Sequence, residues 1–104
     1  MTGLDRAAAV AEGLPAAPGV PAGLPAASRL WAAVWALAAR RGVALRPGSS
    51  LAQAARLLVG HGAIIPPAGD ALVALDPALS DGDPVAAAVA GRLAGYLELR
   101  ARYG

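Results

Sequence analysis

His61 is the single histidine of the chain, so any imidazole chemistry must pass through it. As a general base it would need a serine beside it and a carboxylate behind it. The serines are Ser28, Ser49, Ser50 and Ser80, and no G-x-S-x-G elbow surrounds any of them. As a zinc ligand His61 would need further ligands at fixed spacing; the chain has no cysteine, and the aspartates show no such pattern. Its setting, Gly60-His61-Gly62, reads as a turn or a helix cap. Phosphate loops of the GxxxxGK[ST] kind are excluded because the chain contains no lysine, and no GxGxxG follows a strand. Asp76, Asp81 and Asp83 crowd together as calcium-loop carboxylates do, but the required glycine and the closing glutamate are missing. No catalytic residue, cofactor-binding residue or metal ligand is assigned, and the protein is expected not to be an enzyme.

Charge is the second resource. All nine basic residues are arginine, against seven acidic ones, for a net charge of +2. That excess is too small to imply a nucleic-acid partner by itself. Its distribution is uneven: residues 28–68 hold Arg29, Arg40, Arg41, Arg46 and Arg56 with no carboxylate, and residues 69–84 hold Asp70, Asp76, Asp81 and Asp83 with no arginine. Three readings follow: pairing between the halves of a hairpin, pairing between subunits, or a basic face for an anionic partner. Arg40, Arg41, Arg46 and Arg56 form the candidate anion- or nucleic-acid-binding set.

The elements that must position these groups are helical. The chain carries 29 alanines and 15 leucines but only 8 valines, 2 isoleucines and no phenylalanine. Alanine is the best helix former, while the residues that favour strands are sparse. The expected fold is all-α, a small four-helix bundle-like domain over residues 28–104 behind a flexible, Pro/Gly/Ala-rich N-terminal segment over residues 1–27. Within that segment Gly-Leu-Pro-Ala-Ala occurs twice, and Pro15, Pro18, Pro21 and Pro25 favour an extended linker. A short helix over residues 4–12 ahead of the linker would be marginal alone.

The first helix of the body is expected over residues 29–41, capped by Ser28 and stopped by Gly42. Leu30, Val34 and Leu37 form its inner stripe, with Trp31, Trp35 and Ala38 beside it. A second helix is expected over residues 51–59, with Leu51, Ala55 and Leu58 inward and Gln53 and Arg56 outward. Pro66-Pro67 opens a third, which Pro77 should kink or end near Leu75. Asp83 caps the last, over residues 85–102, whose inner stripe is Val85, Val89, Leu93 and Tyr96 or Leu97.

Two features point past the core. The Trp31/Trp35 stripe is wide enough for a protein this small to reach a partner. Ala87, Gly91 and Gly95 fall four apart and clear a groove where a helix can approach closely, either within the bundle or from a second copy. These five residues are the candidate interface. No secretory signal is evident, and the longest uncharged apolar stretch, residues 30–39, is half of the roughly 20 residues a bilayer needs. A cytoplasmic protein that does not engage membranes is expected.

Residues 50–100 resemble the later helices of HEPN-type domains: a short helix ending in a Gly-containing turn before Ile64-Ile65-Pro66, a further helix, then a long last helix. Where that family carries its RNA-cleaving signature, this chain reads Leu75-Asp76-Pro77-Ala78-Leu79-Ser80, with Asp76 at the asparagine position and Ser80 at the histidine position. The resemblance therefore implies a non-catalytic member that works through association, as such domains usually dimerise by their helices. Two functions are expected to compete: a helical interaction or assembly module, accessory to a prokaryotic defence or regulatory system, and an RNA- or nucleotide-binding protein using the arginines.

Overall fold

The computed structural model describes residues 3–15 and 26–103, which form five helices. These are α1 (Gly3–Gly13), α2 (Ala26–Arg41), α3 (Leu51–Gly60), α4 (Pro66–Ser80) and α5 (Pro84–Tyr103), and no strand occurs among the described residues. The all-α expectation holds. The proposed extended linker falls mostly on residues 16–25, outside the described part.

Local chemistry sets most of the boundaries. Ser50 caps α3 through a reciprocal box: its hydroxyl accepts from the Gln53 N–H at 3.1 Å, and the Gln53 side chain accepts from the Ser50 N–H at 2.9 Å. Asp83 Oδ1 accepts from the Val85 N–H at 2.8 Å, fixing the start of α5. Gly42 ends α2 at φ +69°, a left-handed conformation that suits glycine, and the following Val43 N–H returns to the Ala38 carbonyl at 2.8 Å.

Four expectations change. First, α1 is not free: Ala7 and Ala11 are buried as it packs against α4 and α5, so residues 3–13 belong to the body and not to a flexible leader. A short helix that is marginal in water persists when its apolar face is covered. Second, α2 is already helical at Ala26, leaving Ser28 exposed inside the helix instead of capping it. Third, α4 runs through Pro77 to Ser80. Pro77 lies in the last turn on the exposed side, so the missing N–H costs one bond near an end that frays anyway. Fourth, Val85 is 52% exposed and Ala86 takes the inward position in the first turn of α5.

Antiparallel α4 and α5 form the spine. The Tyr96 hydroxyl accepts from the Ile65 N–H at 3.4 Å, and Arg100 Nε donates to the Ala63 carbonyl at 3.0 Å, so the far half of α5 lies beside the start of α4. Helix α2 packs along α5, α3 packs on α4, and α1 bridges α4 and α5. Leu30, Leu37, Leu51, Leu58, Leu72, Leu75, Leu93 and Leu97 with Val34 are the large, fully buried side chains. Burying each contributes about 1.5–3 kcal/mol, which is how an alanine-padded chain still holds one core. The α3–α4 contact is close at Gly69, where an added methyl would overlap Val59 Cγ2.

Candidate functional site

The residues with catalytic chemistry are dispersed into structural duties. His61 is the exposed C-cap of α3, its backbone N–H bonded to the Leu57 carbonyl at 3.0 Å. Ser49 Oγ donates to the Arg46 carbonyl at 2.7 Å, Ser50 Oγ accepts from Gln53, and Ser80 Oγ donates to the Asp76 carbonyl at 3.3 Å. None of these hydroxyls meets an imidazole. Among the described residues, no cluster of three or more His, Asp or Glu side chains is arranged to hold a metal ion.

The arginines separate into three kinds. Arg29 turns inward, 6% exposed, and Nε and Nη2 meet Glu98 Oε1 and Oε2 at 2.8 and 3.0 Å. Its Nη1 also donates to the Gly91 carbonyl at 3.4 Å. This is a two-point ion pair across α2 and α5, the geometry in which guanidinium and carboxylate bind best. Arg41, in the last turn of α2, is half-buried, with Nε and Nη2 shielded from solvent and without a hydrogen-bond partner. Arg40, Arg46 and Arg56 are exposed. Arg46, from the loop before α3, and Arg56, on α3, line one groove with Ala44, Ser49, Gln53 and Leu57. The four candidate arginines therefore do not present alike: two share a groove, one is exposed at the end of α2, and one is partly enclosed.

Pairing between the arginine stretch and Asp70–Asp83 is not what balances charge. Among the described residues, the ion pair made by that stretch joins Arg29 to Glu98, which lies outside the aspartate segment. Arg56 borders the α3/α4 cleft that also holds Asp70, but the two form no ion pair.

The candidate interface residues also divide. Along the row on α5, Ala87 is exposed, Gly91 is half-buried under Arg29, and Gly95 is buried, so this row passes from the surface into the packed interior. A Cβ at Gly91 would meet nothing within 4 Å. On α2, Trp31 is half-buried against the core and Trp35 is 40% exposed. Around Trp35 the exposed residues of α2 from 27 to 39 are Ala27, Ser28, Ala32, Ala36 and Ala39, with no charge among them. A solvent-facing helix surface is ordinarily charged or polar.

Sequence reasoning missed the Arg29–Glu98 pair, whose partners lie 69 residues apart, and the shared groove of Arg46 and Arg56. Neither leaves a local signal. The capping box, by contrast, is written in the spacing Ser50-x-x-Gln53. Compared with protein-family models, with curated proteins and with solved structures, the chain matches none of them.

Proposed function

We propose that the protein is a non-catalytic helical assembly module that self-associates through the outer face of α2. The observation that carries this reading is the uncharged face centred on exposed Trp35 and flanked by Ala32, Ala36 and Ala39. Alanines let a second helix approach closely, and a tryptophan supplies the large contact area that anchors interfaces. The face carries no charge from Ala27 to Ala39 and ends at exposed Arg40, so a two-fold antiparallel pairing of α2 against α2 joins the uncharged parts and sets the two Arg40 side chains at opposite ends.

Two further points support it. The histidine, three serines and Asp83 are spent on caps and turns, leaving no assembled catalytic group among the described residues. The HEPN-type resemblance of residues 50–100, with Asp76 and Ser80 at the signature positions, fits a member that associates without cleaving RNA, in an accessory role within a prokaryotic defence or regulatory system. No described helix is long and apolar enough to cross a membrane.

The test is light scattering of the full chain and of an Ala36→Glu variant, which places a charge in the face without touching the core. A dimer that Ala36→Glu converts to monomer, with unchanged helical circular dichroism, supports the reading. A wild-type chain that stays monomeric at every concentration overturns it.

A further inference from the structure

We propose that the groove between the loop before α3 and the outer side of α3 binds a small phosphate monoester. Six residues line it: Ala44, Arg46, Ser49, Gln53, Arg56 and Leu57. Two are guanidiniums, none is a carboxylate, and neither arginine has an ion-pair partner among the described residues. The groove therefore brings together two guanidiniums that form no ion pair among the described residues, Arg56 also bordering the cleft that holds Asp70.

Of its remaining polar side chains, Gln53 is set as a donor, while the Ser49 hydroxyl already gives its proton to the Arg46 carbonyl at 2.7 Å. The Gln53 Oε1 is held by the Ser50 N–H at 2.9 Å, which turns the amide nitrogen of that side chain to serve as a free donor. Gln53 and Arg56 are three apart on α3 and so lie on one side of the helix. Gln53 stands in the first turn of α3, where the helix dipole adds positive potential, and Arg56 follows one turn on. Leu57, an exposed leucine, and Ala44 offer an apolar wall for the body of the ligand.

Charge decides the ligand class. A carboxylate carries one negative charge, whereas a phosphate monoester carries about −1.5 to −2 near neutral pH and three acceptor oxygens. Two arginine forks and an amide donor match the second better than the first. The site shares no residue with α2, so its test is independent of the assembly reading.

The experiment is a titration of the full chain with phenyl phosphate, followed by amide and guanidinium chemical shifts, with benzoate as the carboxylate control. Saturable shifts at Arg46, Gln53 and Arg56 are expected, weakened roughly tenfold in each of Arg46→Gln and Arg56→Gln, the loss of one charge-assisted contact. Asp70→Asn, in the neighbouring cleft, should leave phenyl phosphate binding in place. The proposal is overturned if no saturable shift occurs, if either arginine variant binds unchanged, or if benzoate binds as tightly as phenyl phosphate. A single-stranded RNA oligonucleotide that requires Arg40 as well, while phenyl phosphate fails to bind, would replace the small-ligand site by a polynucleotide surface.

Discussion

Arg29 and Glu98 lock α2 to α5 through two parallel contacts of 2.8 and 3.0 Å, with the arginine 6% and the glutamate 32% exposed. Removing one partner of such a pair is worse than removing both, because a buried charge is left uncompensated. Glu98→Gln is therefore expected to destabilise by about 2–3 kcal/mol, less than for a fully buried pair because Glu98 is partly wet. Arg29→Met should cost less, since methionine fills the space without a charge. Urea denaturation of both single variants and the double variant measures this, and equal losses from the two single changes would contradict it.

Gly69 and Val59 set the α3–α4 spacing. A methyl at Gly69 would overlap Val59 Cγ2 but lie at 3.7 Å from Val59 Cβ. Gly69→Ala is expected to destabilise by about 1–3 kcal/mol, the usual cost of overpacking. Truncating the neighbour in Gly69→Ala/Val59→Ala should recover part of that loss, so thermal melts of the four-member cycle should show favourable coupling. Strict additivity would mean that the helices simply move apart.

At Arg41, two effects of opposite sign meet. Its Nε and Nη2 are shielded without an acceptor, which costs about 1–3 kcal/mol. Its position in the last turn of α2 returns about 0.3–1 kcal/mol through the helix dipole. The first is larger. Arg41→Met is accordingly expected to stabilise the fold by about 1 kcal/mol in chemical denaturation, and a clear loss of stability would show that the guanidinium has an acceptor.

Gly91 tests what the small-residue row on α5 is for. Nothing lies within 4 Å of a Cβ built there, so Gly91→Ala should stabilise by up to about 1 kcal/mol from helix propensity alone. Because self-association is assigned to α2, the same variant should leave the dimer intact. Sedimentation analysis would reveal a weakened dimer if α5 were the interface instead.

The sequence carried the fold where signals are local. Periodic leucines, Ser50 with Gln53, Gly42, Pro66-Pro67 and Asp83 with Pro84 all mark boundaries that need only a few neighbouring residues to act. It failed where tertiary contact decides. The short α1 helix is stable because α4 and α5 cover Ala7 and Ala11, and no propensity argument contains that fact. Pro77 is tolerated because its turn is the last and faces solvent. The arginines showed why a site is harder to read than a helix: of four in one stretch, Arg46 and Arg56 came to share a groove while Arg40 and Arg41 took separate environments, set by how α2 docks on α5 and α3 on α4 and not by their spacing. Trp35 lay between these cases, its apolar character visible in the sequence and its exposure visible only in the packed structure.

Self-association through α2 is most directly tested by sedimentation equilibrium on the full chain and on the Ala36→Glu variant, from micromolar to millimolar concentration. The expected result is a wild-type mass rising to twice the 10.2 kDa chain mass, while Ala36→Glu stays at the single-chain value. A wild-type mass fixed at one chain throughout, or a dimer indifferent to the glutamate, would contradict the α2 interface.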